Sequence, residues 1–553
     1  MREKEFNLLE EPWIRVRSPD CAVREVSLTD ALLHAHEVTD LAGELPAQDA
    51  AVLRLLLAVL HTVFSRVDEQ GIPAPFQSEE DAVARWGMLW RMGRFPEEPL
   101  RRYLETWRER FWLFHPERPF WQVPQAKIGT KKYAAAKLNG ELSESGNKIR
   151  LFPPCSGEEK NGMSYAQAAR WILYLNGFDD TAVKKKAVDV PSVGVGWLGQ
   201  LGLIQAVGSN LFETLMLNLT LLKDGMELWG EDLPCWELET PRSSERTEIP
   251  QPNNPAELLT LQSRRSILHR ENDRVTGYFI LGGDFFPKEY AYCEQMTVWE
   301  GTQSNKKMPI VFRPQCHDPA KQLWREFPSI FVAEENSHLP GVVQWIVLLQ
   351  NPKFRFLSNS SLVNFRLVGN QYGTQNSSIT DTFSDELSFH MELLSELGRA
   401  WRNTVKDEIG RCKKLADAVG WLACDLAFAS GRSKKNKNDD TAKFVGGKAK
   451  EQFYFRLDQP FREWLCSIDP ACEEEEGEKT ILAWRNRAAQ LACHFGEELV
   501  REAGTAALVG RWIEEKNKKR KSETNSKRHY SAPEAYNAFL YRIAVIVQEG
   551  GTI

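Results

Sequence analysis

Between Asp49 and Val67 the apolar residues Val52, Leu55, Leu56, Val59, Leu60, Val63 and Phe64 recur at helical spacing and predict a helix. Ahead of it, Trp13 to Arg17 alternates inward and outward, Ser18-Pro19-Asp20 turns, and Val23 to Val26 returns, the pattern of a β-hairpin. Ser27 or Thr29 then caps a short helix through His36. Ala82 to Arg94 and Leu100 to Trp112 predict further helices, and two prolines force His115 to Gln122 into an extended run. The chain is polar from Pro124 to Gly162 and irregular from Glu231 to Pro255, with strands predicted at Leu201 to Val207 and Val275 to Leu281. Around Ser384 the character changes to long amphipathic helices: Leu387 to Val405, Cys412 to Ala429, Glu451 to Cys466, Thr480 to Ala503 and Ala532 to Val547. Two basic breaks, Ser433 to Lys450 and Glu514 to His529, interrupt them, so the segment reads as an up-and-down bundle of about four helices.

Length and composition set bounds without altering that picture. A chain of 553 residues, 42% hydrophobic and 26% charged, is an ordinary soluble globular composition with length for several domains or two large ones. The 18 tryptophans suggest large contact surfaces, with core packing accounting for most of them. Against 70 Lys and Arg stand 76 Asp and Glu, a net charge of −6, so any attraction to nucleic acid has to come from local patches. Candidates are Lys184 to Lys186 and the run Lys516, Lys518, Lys519, Arg520 and Lys521, which serve equally well as solvated loops. The 10 cysteines never form a C-x-x-C pair, which argues against a zinc ribbon. With no secretory signal in MREKEFNLLE, free thiols in a reducing cytoplasm are expected. The apolar runs Leu55 to Leu60 and Gly341 to Leu349 fall short of a membrane span, so a soluble protein without a membrane partner is expected.

The rest of the chain is organised around Val190 to Leu222. There Gly194-Val195-Gly196-Trp197-Leu198-Gly199 satisfies G-x-G-x-x-G, but a dinucleotide fingerprint needs a strand before the glycines and a helix opening on the last one. Here Lys184 to Lys186 and Pro191 come before, a strand comes after, and the helix waits for the Ser209/Asn210 cap. Two readings stand: a tight turn entering a core strand, or a main chain brought close to a polyanion such as a nucleic-acid backbone or minor groove. His317-Asp318 raises a metal-dependent phosphohydrolase, yet Pro319 makes it a helix-entry turn and the other histidines lack ligand spacing around it. His115 reads as a hydrogen-bonded structural residue.

Several stretches, taken in order, resemble one family. They are Asn7-Leu8-Leu9 with Trp13-Ile14-x-Val16, HPERPFWQ at 115 to 122, GSNLFETLMLNL at 208 to 219, TLQSRR at 260 to 265 and HDPAKQLWREF at 317 to 327. Together they are similar to CasA, the large subunit of the Cascade surveillance complex of type I-E CRISPR systems. The resemblance implies an α+β fold: a large mixed α/β N-terminal domain over 1–384 and an all-α C-terminal four-helix bundle over 385–553. It implies no catalytic residues and no cofactor, and the missing C-x-x-C implies no metal. It further implies recognition of the protospacer-adjacent motif (PAM) in double-stranded DNA, the start of R-loop formation, and recruitment of a helicase-nuclease. Other Cascade subunits and guide RNA are the implied partners.

Residue by residue, the family's glycine loop falls on Ser192, Val193, Gly194, Val195 and Gly196, where its denser glycine run is replaced by DVPSVGVG. Its strand-parting wedge falls on Tyr372 to Ser378, with Gln375 and Asn376 at the tip and Ser377 beside them. Lys288, Lys306 and Lys307 match its minor-groove lysines, and Asn147, Lys148 and Phe152 its guide-proximal loop. Two alternatives stay open: a protein-only scaffold whose Trp-rich faces bind partners, and a nucleotide- or metal-dependent enzyme.

Overall fold

The computed structural model describes residues 4–127, 130–144, 149–182, 191–240, 242–351, 353–354, 356–357, 361–433, 440–515 and 526–548. Contacts divide the chain into two compact units, Met1–Leu323 with Ser329–Leu387, and Trp324–Pro328 with Ser388–Ile553.

The first unit mixes helices with small antiparallel sheets. Its core helix, Pro46–Arg66, opens with proline in the first turn, where a missing N–H costs nothing. By length and composition it could cross a membrane, which the short apolar runs had not suggested, but 94% of its apolar window is buried inside the fold. The opening hairpin pairs Ile14–Arg17 with Val23–Val26, and Ser27 caps the next short helix by accepting from the Asp30 N–H. A second buried helix, Tyr165–Phe178, escaped the periodicity reading because it is apolar nearly all round; its capping box, Ser164 with Gln167, was the legible signal.

The central strand, Leu203–Val207, lies at the edge of a three-stranded sheet, paired to Leu362–Tyr372, which in turn pairs with Ile379–His390. This long hairpin corrects the helix expected from Leu387. Leu387 and Phe389 are buried while Ser388 and His390 are half-buried, a period of two, and the helix starts only at Arg399. Leu387, Met391 and Leu394 also fit helical spacing, which is why the pattern misled. A second sheet pairs Arg264–Glu271 with Arg274–Gly282 and, on its far side, Tyr133–Ala134.

In the second unit four long helices, Arg399–Ala429, Thr441–Ser467, Glu474–Glu502 and Ala532–Gln548, pack on one another. Two expected helices, Leu387 to Val405 and Cys412 to Ala429, are replaced by the first of these. The third expected helix begins ten residues before Glu451, within the basic break. Gly446 lies inside this helix, where a Cβ would stand 2.9 Å from the Gly420 carbonyl oxygen, so this glycine serves close helix packing. The unit is not all-α: Arg511–Glu515 pairs antiparallel with Ser526–Tyr530. The basic residues Lys516, Lys518, Lys519, Arg520 and Lys521 lie outside the described residues. Trp324 stacks on Phe461 at 4.3 Å, and Trp464 on Trp484 at 5.3 Å. With Trp13, Trp86, Trp171 and Trp345 also fully buried, much of the tryptophan content is core. All ten cysteines are free.

Candidate nucleic-acid interface

The glycine loop is a short exposed segment tied to a buried polar frame. Ser192 and Gly194 are exposed, Val193 is half-buried, and Val195, Gly196 and Trp197 are buried. A Cβ at Gly194 would meet nothing within 4 Å, whereas one at Gly196 would lie 2.3 Å from the Gly177 carbonyl oxygen and one at Gly199 2.1 Å from the Tyr372 hydroxyl. None of the three adopts a positive φ, so the tight-turn reading is corrected: the glycines at 196 and 199 are required by close approach, not by handedness. The Gly196 N–H donates to the Asp179 carbonyl at 2.9 Å. The buried guanidinium of Arg264 bonds the Asp179 carboxylate at 2.5 Å and donates to the Gly194 carbonyl at 2.7 Å. Arg246 donates to the Pro191 carbonyl and covers the Phe285 ring at 4.1 Å.

Below the loop, the Trp197 indole donates to Glu294 at 2.9 Å, and Arg54 grips the same carboxylate with two bonds of 2.8 and 2.9 Å. Arg54 and Glu294 are each only 1% exposed, so a charge pair within the core holds the loop's base in one place. Neither Arg264 nor Glu294 was singled out from the sequence as a positioning residue. The paired arginines of TLQSRR were the signal for the first; nothing local marks the second.

The proposed wedge is the tip of the long hairpin. The Gly373 N–H donates to the Ser378 carbonyl at 2.9 Å, and the Asn376 N–H to the Gly373 carbonyl at 2.9 Å. Gln375 and Asn376 both adopt left-handed backbone, φ 56° and 54°, a strained choice for two consecutive non-glycine residues. Their carbonyls are used: Gln375 accepts from the Thr181 hydroxyl at 2.8 Å and Asn376 from the Thr181 N–H at 2.9 Å. The side chains of Gln375, Asn376 and Ser377 are exposed. At the hairpin's neck, the Tyr372 hydroxyl donates to the Phe178 carbonyl at 2.7 Å. The segment from Phe178 to Thr181 therefore holds the hairpin with one set of groups and the glycine loop with another.

The remaining candidates are dispersed. Lys306 and Lys307 are exposed in the turn joining Trp299–Thr302 to Val311–Pro314, and this hairpin is anchored to the central stretch by Val298, whose N–H donates to the Gly202 carbonyl at 2.9 Å. Lys288 is half-buried. Phe152 is 93% exposed, beside Leu151 at 90%, while Asn147 and Lys148 lie outside the described residues, as do Lys184 to Lys186. His317 is buried with its Nε2 3.0 Å from the Leu203 carbonyl, and the Asp318 carboxylate accepts from the Ala320 N–H at 3.0 Å. His115 accepts from two backbone N–H groups, those of Glu117 and Arg118, at 3.1 and 2.9 Å. Among the described residues, no three or more His, Cys, Asp or Glu side chains group to hold a metal ion.

This mixed helical and sheet structure matches solved Cse1 structures. The Cse1 of Thermobifida fusca matches with a TM-score of 0.81 and 26% identity over 99% of both chains. A chain of a CRISPR RNA-guided surveillance complex matches in fold with a TM-score of 0.63 and 18% identity, covering 91% of this chain and 99% of that one. A CasA/Cse1 protein of Thermus thermophilus is 38% identical over 235 residues, a match that spans 42% of this chain and 42% of that protein. The family model for CRISPR-associated protein Cse1 matches residues 7–495, and the chain belongs to that family. The resemblance drawn from the ordered motifs is borne out at this level.

Proposed function

We propose that the chain is the large, non-catalytic subunit of a cytoplasmic CRISPR RNA-guided surveillance complex. In this reading it meets the PAM of duplex DNA through the glycine loop, starts strand separation with the hairpin tip, and recruits the helicase-nuclease once the R-loop has formed. Its second unit acts as a four-helix bundle facing the other subunits, and the loop around Phe152 faces the guide RNA. Family membership supports the assignment. The observation that carries the DNA-facing part is the shared anchor: Asp179 receives the Gly196 N–H while Thr181 bonds both carbonyls of the hairpin tip.

The chemistry is coherent with that arrangement. Minor-groove readout is degenerate, so exposed backbone at Gly194 together with a few lysines suits tolerance of related motifs, and guide pairing then supplies sequence specificity. The test is a complex reconstituted with guide RNA and the other subunits. Binding to duplexes differing only in the PAM should be discriminated by wild type and equalised by Gly194→Trp, with the thermal transition unchanged. Equal binding of all duplexes by wild type would remove the PAM-reading role.

A further inference from the structure

A cavity of the first unit, bounded by Arg110, Arg118, Trp121, Trp236, Arg242 and Gln262, belongs to none of the loops above. Its volume of about 50 Å³ has room for a few waters or one tetrahedral oxyanion. Among the described residues three arginines line it and no carboxylate does. Among the described residues the Arg110 side chain has no hydrogen-bond or ion-pair partner, and its charge is opposed by burial and by neighbouring Arg118. Among the described residues the Arg118 guanidinium donates to the Glu239 carbonyl alone, at 2.9 Å. Arg242 reaches Asp284 at 3.1 Å, but Asp284 is already paired with Arg265 at 2.5 Å, so one carboxylate serves two guanidiniums. Like charges gathered beside a low-dielectric wall repel, and the group that relieves them is an anion.

An independent observation lies at the same cavity. Trp121 is 6% exposed, and among the described residues its indole N–H has no partner, a cost that native structures rarely leave unrelieved. Its backbone sits at φ 60°, an outlier for so bulky a residue. Guanidinium forks match the oxygens of phosphate better than any other side chain does, and several converging forks suit a multiply charged oxyanion.

We propose that Arg110, Arg118, Arg242 and Trp121 form a phosphate subsite, occupied by a phosphorylated small molecule or by a nucleic-acid backbone phosphate. It stands independently of the DNA reading of the glycine loop.

The test titrates the full-length protein with pyrophosphate, against chloride at matched ionic strength, by calorimetry and thermal melting. Saturable binding and a raised melting temperature are expected. The double variant Arg110→Gln/Arg118→Gln should weaken binding by about tenfold or more, and Trp121→Phe, which keeps an aromatic ring without the N–H, should weaken it less. Without phosphate the double variant should melt no lower than wild type, because it removes a repulsion. Absence of saturable binding, or binding unchanged in both variants, overturns the proposal. So does a double variant that melts well below wild type in phosphate-free buffer, since the arginines would then be holding the fold. A short single-stranded oligonucleotide assigns the source: displacement by pyrophosphate in wild type but not in the double variant identifies a backbone phosphate, and no displacement identifies a small phosphorylated ligand.

Discussion

Gly196 lies against Gly177 so closely that a Cβ at position 196 would stand 2.3 Å from the Gly177 carbonyl oxygen. Two residues earlier, the same atom at Gly194 would meet nothing within 4 Å. The glycines of one loop therefore separate into a packing residue and a free one. Gly196→Ala should destabilise the protein by roughly 1–3 kcal/mol, because the backbone it meets cannot step aside. Gly194→Ala should stay within about 0.5 kcal/mol of wild type. Urea unfolding of the two variants checks this, and equal losses at both positions would show that the contact does not govern the difference.

The carboxylate of Glu294 is the buried hinge between the core helix and the loop. Changing it to Gln leaves the Arg54 charge in the core with its pair broken, and losses of about 3–5 kcal/mol are typical of such half-pairs. We expect Glu294→Gln to unfold at markedly lower denaturant and to raise amide exchange around Trp197, whose indole loses a charged acceptor. A variant as stable as wild type would mean that water or relaxation replaces the pair at no cost.

Much of the first unit was legible because its elements obey one period at a time: the opening hairpin, the core helix and the central strand all appear close to their expected limits. Reading failed where two periods coincide, as at Leu387 to Leu394, and where a basic, polar run is itself helical, as from Thr441 to Lys450. The site was legible only as separate loops. Their common anchor at Asp179 to Thr181 arises from contacts 15 or more positions apart in sequence, such as Thr181 with Asn376, that no local pattern encodes.

Asp49 supplies a pH dependence that can be followed. Burial pushes its carboxyl up to about 7, with Asp40 and Glu44 adding repulsion and Arg366 and the Gly43 N–H opposing it. The folded value lies above the unfolded one, so the folded state binds the extra proton, and this contribution is complete below about pH 4 and lost as pH rises towards 7. Asp49→Asn keeps an oxygen to accept from Gly43, now at 2.7 Å, and removes the titration. Its stability advantage over wild type should grow from pH 4 to 7 and then level off, at up to about 1.4 kcal/mol per unit of separation. An advantage independent of pH would assign the effect to packing.

The hairpin tip offers the sharpest separation of structure from function. The tip bonds Thr181 through the carbonyls of Gln375 and Asn376, while both side chains are exposed, so replacing the side chains leaves these bonds in place. Exposed amides of this size can enter a base step and bond the parted edges, offsetting part of an unstacking cost of about a few kcal/mol. We expect Gln375→Ala with Asn376→Ala to slow R-loop formation on an intact duplex while assembly with guide RNA and PAM contact stay near normal. A target already opened beside the PAM should restore the rate, because the step the side chains perform has been done in advance. Gln375→Gly is the internal control: glycine relieves the left-handed strain at φ 56° and should leave stability within about 1 kcal/mol of wild type, so any slowing belongs to the missing amide. Equal R-loop rates for wild type and the double variant on intact duplex would exclude the tip as the element that parts the strands.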